Sequence, residues 1–248
     1  MRKILLTIQY NGKNFAGWQT QPKKRTVQGV LEDAISNLLQ EKISLFASGR
    51  TDSGVHAIAQ TAHFETNSNI PAEKLHFAIN SKLPSDVAVV SAKEVASDSH
   101  ARFDVKKKTY MYKLYASDVN LPLYDGFALR VHPKVLDKIE EMKKAGESFI
   151  GTHDFSGFCS ANTEVKDFVR TIYDLKITQT GPEINIFITG NGFLYNMVRI
   201  IVGTLLDVAE GKIHASQIPN IIASRNRTLA GKTVKPDGLY LWGIRYIK

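Results

Sequence analysis

The order of hydrophobic patterns along the chain occurs twice, and this constrains the fold more than any other feature. An apolar run from Lys3 to Gln9 ends at the turn signal Tyr10-Asn11-Gly12. Val27, Val30, Leu31, Ala34, Ile35, Leu38 and Leu39 then recur at helical spacing behind Thr26, a suitable N-cap. Two short extended runs follow, Ile43 to Ala47 and Ala57 to Phe64. A second helical segment opens at Pro71, carries Leu75, Ala78 and Ile79, and closes at Pro84; Val87, Val89 and Val95 mark a last strand. The second half runs through the same order. Thr109 to Tyr115 alternates as a strand, and Val135, Ile139 and Met142 give a helix beginning near Pro133. Ile172, Leu175 and Ile177 face Ile184, Ile186 and Ile188 across a turn at Gly181-Pro182. Tyr195 to Ala209 is a mostly apolar helix, and Leu239, Leu241, Ile244 and Tyr246 make the final strand. The pattern predicts an α+β fold of two tandem ferredoxin-like (β-α-β-β-α-β) halves, with antiparallel sheets flanking a central cleft. The division falls at residues 1–104 and 105–248, the second half carrying insertions around Gly146–Val169 and Lys212–Lys235. A cleft between fused halves is a natural place for a site.

Composition narrows the partners. The single cysteine, Cys159, rules out a disulfide framework and a Cys-rich zinc site. With 43% hydrophobic and 23% charged residues the chain is an ordinary globular one. A formal charge of +8 leans towards a polyanionic partner. The excess is spread, +3 over residues 1–103 and +5 over 104–248, with local clusters at Lys23-Lys24-Arg25 and Lys106-Lys107-Lys108. Three adjacent basic residues are also what a solvated turn looks like, so their value depends on where the fold puts them. The longest apolar stretch, Phe193 to Leu206, is interrupted by Asn196 and Arg199 and falls short of the ~20 residues a bilayer needs. No membrane association and a reduced, cytoplasmic compartment are the expectation.

The chemistry concentrates in Gly49-Arg50-Thr51-Asp52-Ser53-Gly54-Val55-His56-Ala57. Gly49 and Gly54 have P-loop spacing, but Val55-His56 follows where a Lys and a Ser or Thr are required, so an NTPase reading fails. Gly190-Asn191-Gly192 lacks the third glycine of a dinucleotide fingerprint. A tight turn between glycines would present Asp52, with Arg50 two residues away; a hairpin turn whose Asp caps its own backbone has the same composition. Arg199 sits in the apolar run Met197 to Val202, where a charge is costly unless paired. Asp207 on the same helix and Asp52 are both candidate partners, and an Arg would keep a buried Asp ionised. An ionised, desolvated carboxylate is a nucleophile or a general base. The seven histidines show no helical metal-site spacing, and His153-Asp154-Phe155 reads as a charged turn beside an aromatic anchor. Tyr110 and Tyr112 share a face of the strand that follows Lys106-Lys107-Lys108. They are ordinary strand formers, or rings on which an unstacked base can rest beside a phosphate-binding patch.

At these residues the sequence resembles the TruA family, the tRNA pseudouridine(38–40) synthases. The loop Gly49 to Ala57 is similar to that family's signature, with Ser53 where Ala is usual. Tyr10-Asn11-Gly12 with Phe15-Ala16-Gly17-Trp18-Gln19, His100-Ala101-Arg102-Phe103, Tyr110-Met111-Tyr112, His153-Asp154-Phe155, Asn196-Met197-Val198-Arg199 and Gly238-Leu239-Tyr240-Leu241 match in order, nearly end to end. The resemblance implies the pseudouridine synthase fold. It also implies isomerisation of uridine at tRNA anticodon stem-loop positions 38, 39 and 40, with no cofactor and no metal. It makes Asp52 the essential aspartate, Arg199 its basic partner, Tyr110 the ring stacked on uracil, Leu239 part of the base pocket, and Arg50 a residue that holds the flipped base. It implies a homodimer with tRNA lying across both subunits. On that reading Lys23, Lys24, Arg25, Arg102, Lys106, Lys107 and Lys108 are the expected RNA-binding surface. A tRNA-binding module without catalysis and an Asp-dependent hydrolase of a nucleoside or glycan are the alternatives; a glycosidase usually needs a second carboxylate about 5–10 Å from the first.

Overall fold

The structure, a computed structural model, describes residues 1–161 and 165–246; residues 162–164 of the first expected insertion lie outside the described residues. The chain is α+β and divides into two units, Met1–Lys106 with Tyr240–Lys248, and Lys107–Leu239.

The first unit is built on β1 (Arg2–Tyr10). Its alternate residues Ile4, Leu6, Ile8 and Tyr10 are buried, each aliphatic contributing roughly 1.5–3 kcal/mol of transfer free energy. β3 (His56–Thr66) and β4 (Val87–Val95) flank it, both antiparallel. β2 is only Phe46–Ala47 and pairs antiparallel with the outer edge of β3. The order β4-β1-β3-β2 is that of a ferredoxin-like half. Helix α1 (Val27–Leu39) starts where the Thr26 hydroxyl accepts from the Gly29 N–H, and buries Val27, Leu31, Ala34 and Ile35. Helix α2 (Ala72–Asn80) buries Leu75 and Ile79 and ends four residues before Pro84.

The second unit carries β5 (Val105–Ala116), β7 (Gly151–Asp154), β8 (Val169–Thr180) and β9 (Glu183–Gly190) in the antiparallel order β5-β9-β8-β7, with β6 (Leu129–Val131) parallel to the end of β5. Gly181 takes φ +57 at the β8–β9 turn, as a tight hairpin requires. Helix α3 (Ile139–Glu147) is preceded by a 3-10 segment, Pro133–Lys138, so the helix near Pro133 begins in the tighter form. Helix α4 (Met197–Ala209) is buried on almost every side, and α5 (Ile218–Ser224) follows it. One face of α4 receives a strap of chain. A Cβ on Gly203 would lie 1.8 Å from the Lys232 carbonyl oxygen, and one on Gly231 would lie 2.5 Å from the Thr204 nitrogen. Two glycines thus let backbone lie on backbone.

One local expectation differs from the structure. His153 and Asp154 belong to strand β7, not to a charged turn, because Arg170 and Val169 of β8 pair with them. The last strand, β10 (Leu239–Tyr246), falls with the first unit from Tyr240 onward, where Tyr240 and Leu241 run parallel beside His56 and Ala57. The chain thus returns to the first unit at its end. No helix among the described residues is long and apolar enough to cross a membrane.

Candidate active site

In the first unit, the segment 49–55 leads from β2 to β3 without regular structure, and the segment 11–18, which contains the 3-10 turn Gly12–Asn14, holds it. The Trp18 N–H donates to the Thr51 carbonyl at 3.0 Å, and the Gly54 N–H and Ser53 hydroxyl both donate to the Phe15 carbonyl at 3.3 Å. The Gly12 N–H donates to His56 Nδ1 at 3.0 Å. The two segments touch backbone to backbone. A Cβ on Gly12 would fall 2.1 Å from the Val55 carbonyl oxygen, and Gly17, at φ +96, would put one 2.7 Å from that of Thr51. The turn itself closes through the Val55 N–H and the Asp52 carbonyl at 3.2 Å, with Gly54 at φ +81. Thr51 is buried, Asp52 half-buried, and Arg50 and Ser53 exposed. The sequence singles out this loop; it does not single out Tyr10, Gly12 and Gly17 as the residues that hold it, although they stand in the quoted motifs.

In the second unit, Tyr110 sits on β5 opposite Ile188 of β9, half-buried, its ring edge-on to Phe193 at 5.1 Å. Arg199 is the third residue of α4. Its Nε donates to the Val234 carbonyl at 2.6 Å and its Nη1 to Asn196 Oδ1 at 2.6 Å. Asn196 is left-handed, at φ +61, and its amide donates to the Ser160 hydroxyl at 2.9 Å. Asp207, the candidate partner on the same helix, lies 3.5 Å from Lys212 Nζ. The strap that meets Arg199 continues to Leu239. The Tyr112 hydroxyl donates to the Lys235 carbonyl at 2.6 Å, and a Cβ on Gly238 would lie 2.4 Å from the Lys113 carbonyl oxygen. Leu239 is buried at the start of β10. Tyr112 is buried beneath this strap, and desolvation pushes its hydroxyl far above the usual tyrosine range, so it remains a donor. Asn196 and Ser160 are orienting residues that nothing in the spacing marks.

The basic residues divide into engaged and exposed. Arg25 forms a bidentate pair with Asp86 at 2.8 Å and lies 4.0 Å over the Phe15 ring. The hydrogen bonds of that pair raise the Arg25 pKa and hold the Asp86 carboxyl below its usual range. Arg25 thus closes the 11–25 segment onto the unit. Lys23, in a left-handed turn at φ +58, and Lys24 are exposed, as are Arg102 and Lys106. Lys107 Nζ lies over the Tyr173 ring at 4.4 Å, and Lys108 is half-buried. Cys159 is buried, and desolvation pushes its thiol up.

A family model described as tRNA pseudouridine synthase matches residues 6–104 and 145–247. That defines the class: the protein is an isomerase enzyme. Asp52, Arg199 and Leu239 fall inside the two matched blocks, and Tyr110 between them. The full length is covered by relatives. The chain is 49% identical over 246 residues to tRNA pseudouridine synthase A of Caldicellulosiruptor saccharolyticus, covering 99% of this chain and 100% of that one. It is 49% identical over 247 residues to the enzyme of the same name from Anoxybacillus flavithermus, covering 99% of each, and 46% identical to that of Bacillus pumilus, covering 98% of this chain and 99% of that one. The chain belongs to the tRNA pseudouridine synthase family, and its α+β fold is the pseudouridine synthase fold.

Proposed function

We propose that this enzyme converts uridines 38, 39 and 40 of the tRNA anticodon stem-loop to pseudouridine, with Asp52 as the essential carboxylate. The observation that carries the proposal is the support of the Asp52 loop. Three hydrogen bonds from or to residues 15–18 and two glycine contacts hold the backbone around a half-buried carboxylate. In the reaction the C1′–N1 bond breaks, the uracil turns, a C1′–C5 bond forms, and the hydrogen on C5 leaves as a proton while N1 gains one. Atoms and electrons balance without an oxidant or a group donor. All routes through this sequence, attack on the sugar, attack on the base, or removal of a sugar proton, use an ionised carboxylate beside the sugar.

In the proposal Arg199 keeps that carboxylate ionised, its guanidinium having five N–H donors of which the Val234 carbonyl and Asn196 take one each. Tyr110 supplies the stacking ring, Leu239 an apolar wall for the base, and Arg50 a contact to the flipped nucleotide. Flipping costs a few kcal/mol, and stacking of about 1–3 kcal/mol offsets part of it. Exposed Lys23, Lys24, Arg102 and Lys106 suit phosphate contacts, and Lys107 and Lys108 follow Lys106 along β5; Arg25 closes the loop that carries Lys23 and Lys24. A cytoplasmic homodimer that lays tRNA across both subunits completes the reading.

The test is tritium release from tRNA carrying 5-³H-uridine. Asp52→Asn should lower turnover by at least about a thousandfold, the scale on which loss of a reacting group is felt, while tRNA binding survives. Turnover near the wild-type level would overturn the assignment. Free uracil as product would point to hydrolysis instead.

A further inference from the structure

We infer that Tyr10 and Gln60 are positioning residues for Asp52, acting through buried hydrogen bonds beneath its loop. The inference rests on the proposed role of Asp52. Tyr10 ends β1 and Gln60 lies mid-way along β3, so both stand on the sheet of the first unit. A register shift in the β1–β3 pairing falls between Ile8 and Tyr10, with Ile8 opposite Gln60 and Tyr10 opposite Ala57. Such a bulge re-aims a side chain. Tyr10 is 3% exposed, Thr51 7%, and Gln60 and Ser48 0%.

Gln60 holds the entry to the loop. Its Oε1 accepts from the Ser48 hydroxyl at 2.6 Å and from the Thr61 N–H at 3.1 Å. A backbone N–H can only donate, so this contact settles which end of the amide is oxygen. Nε2 then donates to the Gly49 carbonyl at 2.8 Å. Tyr10 acts on the loop itself: its hydroxyl and Thr51 Oγ1 share a buried hydrogen bond of 2.7 Å. Burial pushes the Tyr10 hydroxyl far above its usual range, the bond to Thr51 lowering it only in part, so the proton stays in place across the working pH.

Two strand residues therefore hold the loop, Gln60 at the Gly49 carbonyl and Tyr10 at Thr51, the residue before Asp52. The Thr51 carbonyl is separately held by the Trp18 N–H at 3.0 Å. Side chain and carbonyl of residue 51 are both tied, and with them the plane of the peptide that joins Thr51 to Asp52. A misplacement of about 1 Å costs a reaction on the order of a hundredfold. A fully satisfied buried network specifies one geometry, and a partly satisfied one does not.

The experiment compares Tyr10→Phe, Thr51→Val and their double variant with Thr51→Ser and Asp52→Asn, each followed by tritium release and by thermal unfolding. Tyr10→Phe keeps the ring against Phe15 and Trp18, whose centroids lie 6.5 and 6.2 Å away, and removes only the hydroxyl. Tyr10→Phe and Thr51→Val should each lower kcat about 10- to 100-fold with the KM for tRNA within about twofold of wild type. The double variant should lose no more than the worse single variant, because both break one link. Thr51→Ser, which restores the hydroxyl, should recover kcat to within about threefold. Should Tyr10→Phe fail to fold, the Thr51→Val and Thr51→Ser pair decides. A lowered Tm with kcat unchanged in Thr51→Val, or multiplicative losses in the double variant, would overturn the inference. An inactive Asp52→Asn beside a fully active Tyr10→Phe defeats the positioning role alone; an active Asp52→Asn defeats the reading on which it stands.

Discussion

The loop that carries Asp52 and the helix start that carries Arg199 are held in place by different means. The loop has no regular structure. Its position depends on backbone contacts that only glycine permits at Gly12 and Gly17, and on hydroxyl and amide groups buried beneath it. Arg199 rides on a helix that Ile200, Ile201, Val202 and Leu205 anchor in the core, and the Val234 carbonyl of the strap then orients its guanidinium. Apolar packing is broad and tolerant, whereas a chain of single hydrogen bonds fails at one missing atom. Damage to the loop should therefore appear in turnover, and damage around the helix in stability.

The largest expected effect comes from Gly203→Ala. Its Cβ would lie 1.8 Å from the Lys232 carbonyl, so the strap must leave α4. Stability should fall by more than about 3 kcal/mol, or the protein should not accumulate folded. The mirror experiment is Gly17→Ala, at φ +96 and 2.7 Å from the Thr51 carbonyl. It should lower turnover about a hundredfold or more while costing the fold only about 1–2 kcal/mol. Denaturant midpoints and tritium release on the same two variants separate the regions; equal stability losses would remove the distinction.

A middle-sized effect is expected from Arg199→Met, which blurs the contrast because it touches both functions. The Val234 carbonyl and Asn196 Oδ1 lose their donor, costing about 1–3 kcal/mol. On the proposed pairing with Asp52, turnover should fall with it, and the acid side of the pH–rate profile should move to higher pH, since a carboxylate without its cation holds its proton more tightly. An unmoved profile would leave Arg199 a purely structural residue.

The smallest effect concerns His63, far along β3 from the loop. Its Nδ1 accepts from the Ala101 N–H at 3.1 Å, and its ring meets His100 edge-on at 4.7 Å. Burial, together with His100 and Lys3, holds its pKa down at about 4. The folded protein keeps the ring neutral where the unfolded chain, near 6.5, binds a proton. Stability contributed by the neutral ring is thus present above about pH 6.5 and lost as pH falls towards 4. The loss is on the order of 1 kcal/mol, discounted for screening by water, and His63→Gln should flatten it in pH-dependent melts. Amide exchange should show the loosening at residues 100–104 and not in the loop at 49–55.

What was legible in the sequence was what short-range physics decides. Thr26 with Val27, Leu31 and Ile35 announces α1, because a cap and a 3.6-residue stripe lie within a few residues of one another. The isoleucines of β9 and the glycine of the β8–β9 turn announce a hairpin for the same reason. The glycine-bounded Asp loop and the arginine in an apolar helix stood out because each departs from its local pattern. Strand β7 was missed because four residues carry too little periodicity, and only pairing with β8 makes them a strand.

The sequence by itself determined the class of fold, the family and the residues to suspect. Only the tertiary structure decided what holds them. Tyr10 meets Thr51 across 41 positions and Arg199 meets Val234 across 35. Arg25, one of three adjacent basic residues, is spent on Asp86, 61 positions away. Caps and helical stripes are written locally because a helix closes its own hydrogen bonds four residues away. Partners that far apart are chosen by the whole packed chain, when burial leaves a hydroxyl, an amide or a guanidinium with one place to go.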